Sequence, residues 1–130
     1  MDELVKVFME ESEDEIRELE SGLIRLEEDK EDEDTINRVF RAAHTIKGSA
    51  GLVGFDSVSI YTHTLENILD RIRKKDLTIT KKLISTMLAS VDFLKRMIAA
   101  GSDGEEIDEK EIEQSVQSLK RFSGAAKSAG

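Results

Sequence analysis

His44 and His63 are the only imidazoles in this 130-residue chain, which contains no cysteine. If the chain around His44 is helical, the residues one and two turns away are Asn37, Arg41, Lys47, Gly48 and Gly51, so the ring stands on a polar, thinly covered face opposite an apolar stripe. A glycine inside a helix costs about 1 kcal/mol relative to alanine. Gly48 and Gly51 therefore imply a compensating role: with no side chain one and two turns after His44, a bulky partner or a tetrahedral phosphoryl group can approach the ring. On the next helix His63, Glu66 and Asp70 share one face. If the two helices pack antiparallel, that face borders His44. A carboxylate accepting the proton on one ring nitrogen fixes the tautomer and leaves the other nitrogen's lone pair free to attack an electrophile. The ammonium of Lys47 can stabilise charge on a transferred phosphoryl oxygen. Together these residues outline a phosphorylatable histidine.

The same residues also have blander readings. An exposed helical histidine is ordinarily a surface residue, Lys47 a solvated charge, Glu66 a helix-face carboxylate free to pair with Arg73, and the two glycines a device for close helix packing. Met87 and Phe93 read as packing groups. A di-iron bundle would need paired Glu-x-x-His motifs, whereas here His63-Thr64-Leu65-Glu66 runs the opposite way and occurs once, so no metal site is expected. There is neither a nucleophile-elbow pattern nor a glycine-rich phosphate loop followed by Lys-Ser/Thr, so ATP binding within these residues is not expected either.

The elements that must hold these groups are helices. The chain has no proline and only 5% aromatic residues, and its apolar residues recur at helical spacing. A first amphipathic helix is predicted over 3–28, on Val5, Phe8, Ile16, Leu19, Leu23 and Leu26. A second is predicted over 35–52 with Asp34 as N-cap, turning Ile36, Val39, Phe40, Ala43, Ile46 and Ala50 inward. Asp56 reads as the N-cap of the third, with Phe55 and Ile60 placed as a hydrophobic staple. A fourth follows Thr80, with Ile79 and Ile84 as staple. A shorter fifth follows Asp108, with Glu111 completing a capping box and Ile112, Val116, Leu119 and Phe122 forming a narrow stripe. Short connectors predict an all-α, antiparallel up-down-up-down four-helix bundle with the fifth helix appended on its outside. Residues 1–122 are read as the domain and Ser123–Gly130 as the beginning of a linker.

Composition narrows the function classes. The net charge is −9, which disfavours nucleic acid and anionic membranes as partners. No apolar run approaches the roughly 20 residues that span a bilayer, the N-terminus lacks the basic start of a signal peptide, and the absence of cysteine fits a reducing compartment, so a cytoplasmic protein is expected. Charge is unevenly spread: residues 1–34 carry −12, residues 35–101 carry +6 and the remainder −3. The basic stretch contains His44 and Lys47.

The run Phe40-Arg41-Ala42-Ala43-His44-Thr45-Ile46-Lys47-Gly48-Ser49-Ala50-Gly51-Leu52-Val53-Gly54-Phe55 resembles the signature of histidine-containing phosphotransfer (HPt) domains, with its His-x-x-Lys-Gly core. The block His63-Thr64-Leu65-Glu66-Asn67-Ile68-Leu69-Asp70 is similar to the one that follows it in the N-terminal phosphotransfer domains of CheA-type chemotaxis kinases. The resemblance implies that His44 is phosphorylated on Nε2, that Glu66 holds the proton on the other ring nitrogen, that Lys47 and His63 belong to the surrounding network, and that Gly48 gives access. It implies no cofactor in this domain and no catalysis by it alone. A separate kinase domain using ATP and Mg²⁺ would phosphorylate His44, and CheY-like and CheB-like response regulators would receive the phosphoryl group on an aspartate. The domain itself would be monomeric. A stand-alone phosphorelay protein and a helical docking module that moves no phosphoryl group are the rival readings.

Overall fold

The computed structural model describes residues 2–129, with side chains described as far as Phe122. Five helices follow one another: α1 Glu3–Glu28, α2 Glu33–Leu52, α3 Asp56–Arg73, α4 Lys81–Ser102 and α5 Glu109–Ala129. The predicted linker Ser123–Gly130 lies outside the residues whose side chains are described; the α5 backbone runs helical to Ala129.

Two helix starts differ from expectation. Asp32, rather than Asp34, caps α2: its carboxylate accepts from Thr35 N at 3.1 Å and from Thr35 Oγ1 at 2.8 Å. The reason is tertiary, since Asp32 also accepts from Arg25 Nε of the last turn of α1 at 2.6 Å, tying the corner between the helices. These hydrogen bonds, from Arg25 first and then Thr35, hold the Asp32 carboxyl down at about 2. At α3, Asp56 is the first helical residue, and Phe55 stands in the capping position with no side-chain cap. No staple forms, because Ile60 is 71% exposed and the Phe55 ring packs edge-on to Phe8, with centroids 5.2 Å apart. A Cβ on Gly101 would come within 2.9 Å of that ring, so the glycine makes the seat for Phe55. Thr80 caps α4 as predicted, accepting from Leu83 N at 3.1 Å. The Asp108 carboxylate accepts from Lys110 N, while Glu111 turns away from the cap to pair with Arg96 at 3.0 Å.

Helices α1 to α4 form a ring in which each packs on its two neighbours, and α5 lies along the α3–α4 edge. The core is built from Leu19, Leu23 and Leu26 of α1, Val39, Ala43 and Ile46 of α2, Tyr61, Leu65 and Leu69 of α3, and Leu83, Ile84, Met87 and Leu94 of α4. Leu119 of α5 is wholly buried against it. The Tyr61 hydroxyl hydrogen-bonds to Ser90 Oγ of α4 at 2.7 Å and to Ser115 Oγ of α5, so a polar cluster inside the core joins the appended helix to the bundle.

Gly22 fixes how closely α1 and α2 approach. A Cβ there would lie 2.3 Å from Cγ2 of the wholly buried Val39, whose χ1 is stiff. Overpacking of this kind costs about 1–3 kcal/mol, against about 1 kcal/mol of helix propensity gained from alanine. Gly22→Ala is therefore expected to lower Tm by a few degrees, as read in a thermal melt; a Tm at or above wild type would mean that the two helices part at little cost.

Candidate functional site

His44 lies in the middle of α2, its side chain 62% exposed. Ala42, Ala43, Ile46 and Ala50 are buried, and that inward stripe is what turns positions 44 and 48 toward solvent. Beneath the ring lies Glu66 of α3, its side chain only 7% exposed. Its two carboxylate oxygens are engaged separately: His44 Nδ1–H donates to Oε2, and Lys47 Nζ donates to Oε1 at 2.7 Å. A second tie holds the helices together here, since Ser59 Oγ donates to the Lys47 carbonyl at 2.9 Å.

Burial by itself would raise the Glu66 carboxyl, but the hydrogen bonds from Lys47 and His44 outweigh it and hold the group below the ordinary glutamate range. Glu66 is thus ionised at neutral pH, and an ionised carboxylate can only accept. The proton of a neutral His44 ring must then sit on Nδ1, which leaves the Nε2 lone pair on the edge away from Glu66. Positive charge developing on the ring would meet the carboxylate directly.

The expected residues do not all converge. His44, Lys47 and Glu66 form one hydrogen-bonded cluster. His63, placed in the same network by resemblance, stands exposed one turn before Glu66 and makes no hydrogen bond or ion pair to the cluster among the described residues. The two glycines also part ways. A Cβ on Gly48 would meet nothing within 4 Å, which leaves open space one turn from His44, whereas one on Gly51 would sit 3.6 Å from Ser59 Oγ and faces α3. Gly48 is the opening; Gly51 is a packing position.

Two residues not singled out for chemistry join the site. Phe40, read as part of the core stripe, is half-buried and lies beside His44, the ring planes 15° apart and the centroids 6.2 Å. Arg73, which the sequence offered as a partner for Glu66, places its guanidinium carbon 4.0 Å from the centroid of the Phe40 ring. It pairs with Asp70 at 2.6 Å, and Lys74 Nζ reaches the other Asp70 oxygen at 3.0 Å. Lys74 first, and Arg73 with it, hold the Asp70 carboxyl below its ordinary range. The sequence carries part of this signal, since Glu66, Asp70 and Arg73 recur on one face of α3, but the approach of Arg73 to Phe40 depends on the register of α2 against α3.

The basic middle of the chain is partly neutralised in the fold. Arg38 pairs with Glu18 at 2.7 Å and Lys95 with Glu20 at 2.6 Å, so part of the acid of α1 is matched across helices. Arg41, one turn before His44, stays exposed. Among the described residues no helix is long and apolar enough to cross a membrane.

Known proteins share this fold. The sequence profile of the Hpt domain matches residues 3–122. The chemotaxis protein CheA of Rhizobium meliloti is 38% identical over 119 residues, which are 92% of this chain and 16% of that protein. The solution structure of the histidine phosphotransfer domain of CheA superposes with a TM-score of 0.82 at 38% identity, covering 94% of this chain and 92% of that one. The phosphorylated P1 domain of CheA3, solved in complex with CheY6 from R. sphaeroides, shares the fold with a TM-score of 0.83 at 20% identity, covering 93% and 95% of the two chains. The chain spans about one sixth of the length of the curated relatives it matches.

Proposed function

The chain belongs to the Hpt domain family, and from that membership we propose that it is the phosphotransfer domain of a CheA-type chemotaxis kinase, with His44 as the phosphoacceptor. One observation carries the reading: an exposed imidazole whose Nδ1–H is held by a buried, ionised carboxylate, with open space one turn along the helix. In the first step the His44 Nε2 lone pair attacks the γ-phosphorus of ATP bound with Mg²⁺ in a separate kinase domain. An N–P bond forms, and the bond from phosphorus to the bridging oxygen breaks, with ADP leaving with its electrons. The Nδ1 proton stays on Glu66's side of the ring, where the carboxylate balances the positive charge the imidazole acquires. Lys47 spends one of its three N–H donors on Glu66, and the remaining donors are available to a phosphoryl oxygen.

In the second step a carboxylate oxygen of a receiver aspartate, on a CheY-like or CheB-like regulator, attacks the same phosphorus. The P–N bond breaks, and its electron pair returns to Nε2, regenerating the starting tautomer. The chain supplies the nucleophile and its orientation and acts as substrate and donor rather than as a free-standing catalyst. Because the first step consumes ATP, we place it in the cytoplasm. Incubation of this domain with a CheA-type kinase domain and Mg-ATP is expected to give acid-labile, base-stable phosphate on the chain, which chases to a receiver domain when one is added. No label with a kinase domain that phosphorylates its own partner domain would overturn the reading.

Gly48 gives an independent check. Alanine there should raise stability by about 1 kcal/mol, because it removes a helix-interior glycine and its Cβ meets nothing. The same methyl narrows the approach to His44, so phosphoryl transfer to and from the ring should slow while Tm rises. Unchanged transfer rates with a raised Tm would leave Gly48 with no part in access.

A further inference from the structure

We propose that Phe40 and Arg73 act as a positioning pair that holds the His44 ring in the plane its hydrogen bond to Glu66 requires; the inference rests on reading His44 as the phosphoacceptor. One hydrogen bond to Nδ1 fixes a tautomer, yet it leaves the ring free to tilt about the line from nitrogen to oxygen. With His44 62% exposed, few other contacts restrain it. Phe40 sits one turn earlier on the same helix, where side chains four residues apart meet, and its ring lies within 15° of parallel to the imidazole. A centroid separation of 6.2 Å is an offset stack, within the range of favourable aromatic pairs. The phenyl ring is a wall along one side of the imidazole.

That wall needs support of its own, because Phe40 is only half-buried. Arg73 provides it from the last turn of α3, 4.0 Å from the phenyl centroid, well inside the reach of a cation–π contact. Its guanidinium is in turn anchored by Asp70 at 2.6 Å. The charge of Arg73 is thereby committed to a carboxylate and to the phenyl face, so its influence on His44 passes through Phe40. Neither residue contributes a reacting atom.

Phe40→Leu and Arg73→Gln, singly and together, with Phe40→Tyr and Arg73→Lys as conservative variants, test the pair in the intact domain. With a kinase domain and Mg-ATP, Phe40→Leu is expected to lower kcat for phosphorylation of this chain about tenfold with KM unchanged, and Arg73→Gln about threefold. Phe40→Tyr and Arg73→Lys should restore most of the rate. The double variant should be no slower than Phe40→Leu alone, because Arg73 acts through the ring. Nuclear magnetic resonance reads the geometry without any phosphorylation: the His44 ring protons should shift in Phe40→Leu, which removes the neighbouring ring current, and keep their wild-type positions in Phe40→Tyr. Multiplying effects in the double variant, a wild-type kcat in Phe40→Leu, or unmoved His44 ring shifts would overturn the pair. If the wild-type domain takes no label, the phosphoacceptor reading fails, and the ring shifts still decide whether Phe40 sets the imidazole plane.

Discussion

Replacing His44 by glutamine is expected to remove acid-labile, base-stable phosphate from the domain completely, with the thermal melt little changed. The substitution isolates the chemistry. His44 is 62% exposed and contributes no core surface, and substitutions at such positions ordinarily move stability by no more than about 0.5 kcal/mol. The glutamine amide can still donate a hydrogen bond to Glu66, so the carboxylate need not be left with Lys47 alone. What glutamine lacks is the Nε2 lone pair, and with it the nucleophile. The chain contains one other histidine, which makes the control simple. His63 is exposed as well, but no carboxylate holds its ring among the described residues, so nothing selects its tautomer. His63→Gln should still incorporate phosphate. Label retained in His44→Gln and lost in His63→Gln would move the phosphoacceptor to α3 and remove the mechanistic role of Glu66.

The two residues on α2 were legible because they need only local geometry. His44 and Lys47 are three residues apart, and any helix puts them on one face. Glu66 required one further assumption, the antiparallel packing of α2 on α3, which short connectors make the default for neighbouring helices. Contacts that depend on register were not legible. Asp32 and Asp34 are equally good capping types, and Asp32 prevails because Arg25 of the preceding helix is within reach. Phe55 and Ile60 have staple spacing, but Phe8 and the bare backbone at Gly101 offer the aromatic ring a better seat. Tyr61 has the spacing of an ordinary apolar position of α3, although its hydroxyl, with Ser90 and Ser115, joins three helices. Phe40 and Arg73 belong to this group too: each looks ordinary on its own helix, and only the register of α2 against α3 brings the cation onto the ring.

The charge pattern shows the same division between local and tertiary information. Residues 1–34 sum to −12 and residues 35–101 to +6, which suggested a basic surround for the histidine. Exposed ion pairs between α1 and its neighbours are worth little individually, yet they decide which cations remain for a partner. Arg38 and Lys95 are matched by acids of α1, whereas Arg73 and Lys74 share the one carboxylate of Asp70 and keep a single positive charge between them. Near His44 this leaves Arg41, exposed, and the N–H donors of Lys47 not spent on Glu66. Among the described residues, the positive groups within one turn of the ring are thus these two on α2, where a phosphoryl group would arrive, and the charge left on Arg73 and Lys74 lies beyond Phe40.

Glu66→Ala should slow phosphorylation of His44 by about 10- to 100-fold, as the loss of a carboxylate that orients a metal-bound imidazole slows its chemistry, while the bundle stays folded. Alanine leaves both ring tautomers accessible, so part of the population presents a protonated Nε2 that cannot attack. It also removes the negative charge that would balance the imidazole as the N–P bond forms. Lys47 loses its partner in the same change, but at 27% side-chain exposure its ammonium can turn to water, and for that reason the helices should hold. Glu66→Gln separates the two contributions: it keeps the shape and an oxygen acceptor but not the charge, and it should fall between alanine and wild type. The pH dependence follows from the direction of the Glu66 shift. Its carboxyl is lowered in the fold from an ordinary value of 4.5, so its stabilisation is fully present above that value and is lost as pH falls through the lowered one. The stability difference between wild type and Glu66→Gln should thus stay constant from pH 8 to about 5 and shrink only in stronger acid. A difference already fading between pH 7 and 6 would mean that Glu66 is protonated near neutrality and donates a proton rather than accepting one. An unchanged phosphorylation rate in Glu66→Ala would place the group that orients His44 elsewhere.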